Sequence, residues 1–456
     1  MPIDWMRCAA AALLGVIAWC LAPVAHGQDP QEWRSDDIVA FENGHWFDGR
    51  RFVRRDTVFL VSGRIETRRQ RATRRVDLAG AYVIPPLGDA HTHEFAGAFG
   101  FEDQRRRALA GGVFYAMTMT ASARATTRIR DRFSGPHNVD VTTALGGITG
   151  PESHPAEIYE ANALGYFSFD DQRVHQDEIR ASRRMAGDAY HAVSTTEELE
   201  AAWGRLTQQG PDFVKVYLRS SERYAEGWGK WGPGGGLDPS LLPLVANLSR
   251  GAGLRLAVAT SSVSDFRHAV SNGANIVTHL PCYQDTESIG PSNPYFDIPD
   301  DMECRLTIAD ARAARRAGTV SILIATEWER RRPDHYEQWE ADNIALLMRA
   351  RAPLAIGSNA YGRSLVPGLI AESQRNVIDR PTLLRIATMS SPRTIFPTRR
   401  IGCLTRGCEA SFLVLARNPI EDFQALEQIL FRVKDGELLS LAEIENSPLQ
   451  QSADAP

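Results

Sequence analysis

Between residues 85 and 390 short apolar runs alternate with helical patterns. The runs are Val83–His91, Val113–Thr120, Val139–Leu145, Phe213–Leu218, Leu254–Thr260, Asn275–Leu280, Val320–Ala325 and Leu354–Gly357. All have the length of strands. Several of the segments between them carry helical periodicity: Thr196–Gln209, Pro239–Arg250, Val263–Ser271, Thr307–Ala317 and Tyr336–Ala350. Eight strands with intervening helices predict an α/β chain built as a (β/α)8 TIM-like barrel.

The flanks read differently. Residues 36–84 break into short strand-like runs with Gly- and Asp-rich gaps, and residues 398–440 return to β character in ASFLVLARNP and ILFRVKDGELL. Terminal β segments around a barrel predict a small β-sandwich built from both ends of the chain. The expected division is 28–84 for the N-terminal part of the sandwich, 85–390 for the barrel, and 391–456 for the C-terminal part and tail.

Residues 1–27 read as a signal peptide. Cys8–Ala22 is apolar, short for a membrane span and suited to a signal core, and Ala25-His26-Gly27 puts small residues at the cleavage positions. The expected location is periplasmic or secreted; an uncleaved N-terminal membrane anchor is the alternative. No other apolar stretch is long enough to cross a membrane. Removal of the leader leaves Cys282, Cys304, Cys403 and Cys408. An even number in an exported chain points to two disulfides, and Cys282–Cys304 with Cys403–Cys408 is the simplest of three pairings. A four-thiolate zinc site is disfavoured, because no CxxC spacing occurs.

The formal net charge is −5 and no dense basic run is interleaved with aromatics, so no nucleic-acid partner is expected. The arginines of Arg68–Arg75 read as a solvated hairpin.

The segment PPLGDAHTHE at 85–94 carries the first chemistry. On extended chain, residues two apart point the same way, so His91 and His93 can offer two imidazole nitrogens to one metal ion. Lys215 sits between two valines in DFVKVYL, where a charged ammonium is costly without a partner. His279 ends a strand in NGANIVTHL. Two loops follow strands. Residues 149–194 are long and polar and include His154 in GPESHP. Residues 219–236 are Gly-rich and carry Trp228 and Trp231. Loops after strands form the active face of a barrel, so His154, Trp228 and Trp231 are candidate substrate-binding residues. The tryptophan loop reads either as a mobile lid or as a surface loop with two rings tucked onto the barrel.

Four of these features, in this order, resemble the amidohydrolase superfamily, nearest its imidazolonepropionase- and prolidase-like branch. They are Pro85–His93, Lys215 in DFVKVYL, His279 in NGANIVTHL, and Gly402–Asp422 (GCLTRGCEASFLVLARNPIED). The resemblance covers nearly the whole chain after the leader. It implies hydrolysis of carbon–nitrogen bonds, with His91, His93, Lys215 and His279 as metal ligands. Lys215 would be carbamylated and so bridge metals as an anion. Relatives are often oligomers, so a homo-oligomer is consistent.

Two positions depart from the pattern. The family ends its fifth strand with a histidine; here LAVATSSV places Ala259 there. The family ends its eighth strand with an aspartate, both ligand and general base; here it is Gly357-Ser358-Asn359. Asn359 is neutral, a poor ligand and unable to take a proton at ordinary pH. Each metal of a binuclear centre has thus lost a ligand. A single ion, zinc for preference, held by His91, His93 and a third group remains compatible with the donor set. Glu94, Glu152, Asp170, Asp171 or His154 can stand in as base.

The leading expectation is an exported metal-dependent hydrolase acting on an amide or other C–N bond of a small molecule. The alternative is a catalytically degenerate amidohydrolase-fold protein that binds a small ligand or partner without turnover.

Overall fold

The computed structural model describes residues 33, 37–226, 235–283, 302–325 and 334–446. The signal-peptide reading of 1–27 and the two tryptophans, Trp228 and Trp231, lie outside the described residues.

Eight parallel strands form the barrel. The first two are Leu87–Thr92 and Val113–Thr118. The third is broken into Asp140–Thr143 and Gly147–Thr149. Phe213–Arg219, Arg255–Ala259, Ile276–Thr278, Val320–Ile324 and Leu354–Gly357 complete the set. The break at Ala144–Gly146 splits the hydrogen-bonded ladder in two, with strands 1–3 in one sheet and the upper third strand through strand 8 in the other. Leu145 takes a positive φ of 55° at the break.

The ring closes between strands 8 and 1. Asn359 N donates to His91 O at 2.8 Å and His93 N to Ala360 O at 3.0 Å. Gly357 makes this seam possible, since a Cβ there would stand 2.3 Å from His91 N. The strands are nearly all apolar and buried, as expected where helices cover the outside and side chains fill the inside.

Helices Thr196–Gln209, Val263–Ser271 and Ile308–Ala317 follow the sequence periodicity. Two begin with reciprocal capping boxes, Ser262 with Asp265 and Thr307 with Asp310, which satisfy first-turn N–H groups. The long polar segment after the third strand is not one loop. It folds into helices Ala156–Leu164, Phe169–Val174 and Gln176–Ala181 and returns as strand Tyr190–Ala192 beside Gly147–Thr149.

The small domain takes Val39–Phe47, Phe52–Val61, Arg64–Glu66, Arg74–Asp77 and Tyr82–Ile84 from the N-terminal side. Phe412–Leu415, Ile429–Lys434 and Glu437–Leu439 come from the C-terminal side. Tyr82–Ile84 pairs antiparallel with Phe412–Leu415, so the two ends share one sheet. The sheet curls over itself: Ile65 N donates to Cys408 O, and Ala410 N to Gly63 O, both at 2.9 Å. Its separate core holds Phe41, Trp46 and Phe412, with ring centroids 5.1 and 5.6 Å from that of Phe412. The buried Lys434 ammonium reaches from this domain to Asp140 of the third barrel strand at 2.7 Å.

Cys282–Cys304 and Cys403–Cys408 are bonded, with Cα separations of 5.3 and 6.0 Å. The second lies in the turn that Ile65 grips. No helix among the described residues is long and apolar enough to cross a membrane.

Candidate functional site

Strand order brings four separated residues to one end of the barrel. His91 lies in the first strand, His93 just past it, His279 just past the sixth, and Asn359 two residues past the eighth. The His91 ring centroid lies 5.5 Å from that of His93 and 4.8 Å from that of His279. Tyr283 stacks on the far side of His279 at 5.0 Å. Lys215, in the middle of the fourth strand, is 1% exposed. Its Nζ donates to Thr278 Oγ1 and lies 3.7 Å from Met119 Sδ and 5.4 Å from the centre of the Tyr217 ring.

This cluster is deprived of charge. Burial holds His91 and His279 well below the usual imidazole range, reinforced for His91 by His279 and for His279 by Lys215. Burial, then Lys215 and His154, bring His93 to about 4, against a hydrogen bond to Asn359 that works the other way. Burial alone puts Lys215 well below the usual ammonium range. The imidazoles are therefore neutral at ordinary pH, the form that binds metals, and burial shifts the lysine toward its amine form.

Asn359 Oδ1 faces His93 Nε2 at 3.3 Å. The amide oxygen can only accept, so this contact places the proton of His93 on Nε2. His91 Nδ1 and His279 Nε2, by contrast, are buried and hydrogen-bond to nothing. Buried nitrogens left this way call for a ligand or an ordered water. Together with Lys215, these two imidazoles are donors of a kind that a single divalent ion takes. They do not fit two: Ala259 ends the fifth strand without a donor atom and Asn359 brings no charge. Among the described residues, no three His, Cys, Asp or Glu side chains are grouped to hold an ion.

Asp89, one turn of the zigzag before His91, holds the seam rather than the chemistry. It accepts from Ser358 Oγ at 2.6 Å, Ser358 N at 2.9 Å and His91 N at 3.2 Å. Burial lifts its carboxyl to about 7 against the Ser358 hydrogen bonds.

Of the carboxylates considered as stand-in bases, Glu94 is committed elsewhere. It pairs with Arg107 at 3.1 Å and accepts from the N–H groups of Gly362 and Arg363. Asp170 and Asp171 sit on an exposed first turn, bound to Arg173 and Ser168. Glu152 is exposed.

His154 is differently placed. Its Nδ1 lies 2.8 Å from Glu157 Oε1, and its ring meets the Tyr217 ring edge-on at 5.1 Å. It is close enough to depress both His93 and His279. Glu157 is buried; burial raises its carboxyl, but His154 and Arg219 outweigh that and keep it below the usual range. A carboxylate on Nδ1–H makes Nε2 the basic nitrogen. Glu157 escaped the sequence reading, although its place three residues after His154, at the start of a helix, is a detectable signal. Thr278, Met119 and Tyr217 carried no such signal, because each reads as an ordinary strand residue.

No family model and no curated protein matches the sequence. Solved structures do match by fold. Molinate hydrolase aligns with TM-score 0.66 and 16% identity over 93% of this chain and 100% of its own. The ochratoxinase of A. niger aligns with TM-score 0.64 and 13% identity over 88% and 95%. A Xaa-Pro dipeptidase with bound methionine aligns with TM-score 0.64 and 15% identity over 88% and 100%. By fold, the chain is an amidohydrolase-type barrel with a terminal β-sandwich.

Proposed function

We propose that this chain hydrolyses a C–N bond, an amide or a near relative, in a small molecule. The observation that carries the reading is the pair of buried, unpartnered imidazole nitrogens on His91 and His279, next to the buried Lys215, at the carboxyl ends of barrel strands. Neighbours in fold named as a hydrolase of molinate, a phenylurea hydrolase and a Xaa-Pro dipeptidase support it.

His91, His279 and the Lys215 side would hold one divalent ion, with zinc the best match to imidazole donors and an open position. Carbamylated, Lys215 would add an oxygen ligand; the free amine that this modification requires is the form burial favours. Such an ion would supply Lewis-acid polarisation of a substrate carbonyl. The remaining work falls to the chain's own groups. His154 takes the proton of the attacking water at Nε2, while Glu157 on Nδ1 steadies the imidazolium that results. The same Nε2 returns the proton to the departing nitrogen. Asn359 orients His93 and offers a neutral hydrogen bond where an aspartate would take the proton.

Export to the periplasm or medium belongs to the same proposal. The leader-like N-terminus and two disulfides support it. A homo-oligomer is compatible with it.

A second reading has a specific observation behind it. Ala259 and Asn359 leave the fifth and eighth strands without their donors, which suits a protein that binds a small ligand without turnover. Metal analysis and assays on a panel of N-acyl amino acids, dipeptides and anilides separate the two. Metal bound in the purified protein, lost in His91→Ala, with hydrolysis lost in His154→Asn and Glu157→Gln, supports the enzyme. Absence of both metal and turnover, with tight binding of a panel compound, overturns it.

A further inference from the structure

The opposite end of the barrel holds a second site. A cavity of about 720 Å³ opens at the amino ends of the strands, where Arg255, Val320 and Leu354 begin the fifth, seventh and eighth. The histidine cluster stands at the other end of the barrel, and it shares no residue with the cavity. Four arginines line the cavity: Arg255, Arg351, Arg385 and Arg393. No aspartate or glutamate lines it.

Among the described residues, no carboxylate pairs with these charges. Arg255 donates to Thr394 O and, at 3.0 Å, to Ile395 O; Arg393 donates to Ile401 O at 3.2 Å and Gly402 O at 2.6 Å. Carbonyls satisfy N–H groups and hold the guanidinium planes in place, but supply no negative charge. Asp212 is the acid whose field reaches Arg255, and it is already paired with Arg130 at 2.9 Å. Arg351 and Arg385 make no side-chain hydrogen bond among the described residues. Fixed guanidiniums without carboxylates, in a cavity, form a receptor for oxyanions.

The wall that brings Arg385 and Arg393 together is a helical run whose middle turn, Ile386–Ser390, is a π-helix. Such turns are uncommon and recur at functional sites. The hydroxyl residues Thr382 and Ser390 line the same wall and add short donors of the kind that phosphate oxygens accept from, while the Thr394 hydroxyl donates to Ser390 O at 2.9 Å. The volume exceeds a bare oxyanion and suits a small organic molecule.

We propose that this cavity binds a phosphoryl group, carried by a small molecule or free as phosphate, at a site separate from the histidine cluster. Titration calorimetry on the full mature chain at constant ionic strength tests it, with inorganic phosphate, pyrophosphate and phenyl phosphate as probes. Malonate serves as the carboxylate control. The expected result is saturable binding of one phosphoryl probe per chain, weakened at least tenfold in Arg351→Gln/Arg385→Gln. Neither side chain is pinned to the backbone, so the fold should persist, and circular dichroism checks that it does; either single variant serves if the double does not fold. Tighter binding of phenyl phosphate than phosphate assigns an organic ligand, and equal binding assigns free phosphate. Binding no stronger than sodium chloride at equal ionic strength, unchanged affinity in the folded variants, or malonate binding as tightly as the phosphoryl probes each overturns the proposal.

Discussion

Asn359 Oδ1 and His93 Nε2 face each other at 3.3 Å, two neutral groups where the family pattern sets an aspartate against a metal-ligating histidine. The contact keeps the His93 proton on Nε2, so the nitrogen that faces Asn359 has no lone pair to give an ion.

Asn359→Asp combined with Ala259→His should restore both missing donors. Metal content, read by inductively coupled plasma mass spectrometry, should rise from about one ion per chain toward two. Turnover on a substrate of the wild type should rise, by up to about 10²–10⁴ if the restored carboxylate acts as general base. Unchanged metal content in a folded double variant would sink the two-donor explanation.

Lys215→Met should separate stability from activity. The lysine is buried with a hydroxyl and a thioether beside it and no carboxylate. Methionine has nearly its shape and no polar head, so urea denaturation should show a gain on the order of 1–3 kcal/mol. Hydrolysis should be lost. A folded variant that is less stable would show that the amine is better satisfied than its surroundings indicate.

Gly357→Ala should open the barrel seam. The new Cβ would stand 2.3 Å from His91 N and 2.7 Å from His91 Cβ, which strands 8 and 1 cannot absorb without separating. The expected loss is roughly 3 kcal/mol or more. Gly204, inside the helix Thr196–Gln209 with nothing near its Cβ position, is the control. There alanine should add about 0.5–1 kcal/mol. Equal effects at the two sites would contradict the seam geometry.

His191 should make the fold acid-sensitive. Burial, then Arg205, lowers its pKa from 6.5 to about 4. Between those values the unfolded chain binds the proton and the folded chain does not, so stability falls as pH drops through that window. One such group contributes up to about 1.4 kcal/mol per pH unit. Asp89 works in the opposite sense: its carboxyl, raised to about 7, makes stability fall as pH rises from about 4. Comparing His191→Leu with wild type cancels Asp89, and urea midpoints at pH 7, 6 and 5 should fall less steeply in the variant.

The barrel was legible because its strands are short apolar runs and its helices carry their own start signals, as at Ser262 and Thr307. The terminal β-sandwich was legible for the same reason at both ends. The segment after the third strand was not: its apolar residues are too few to mark three short helices, which are held by polar ties such as Tyr190 and Ser182 to Glu160. In the candidate site, histidines announce themselves by type and position after strands. Thr278 beside Lys215, and Glu157 behind His154, become visible only when distant or helical neighbours are brought into contact.

The shared sheet also sets an order of events during synthesis. Tyr82–Ile84 leaves the ribosome long before its partner Phe412–Leu415 exists. Until then one edge of the N-terminal sheet stays open and Trp46 and Val83 lack the far half of their core. The barrel must be translated, and its strands begin to pair, with this edge still waiting. A message cut short within the barrel leaves a chain with a sticky, unfinished edge, which quality control can recognise by that exposed strand alone.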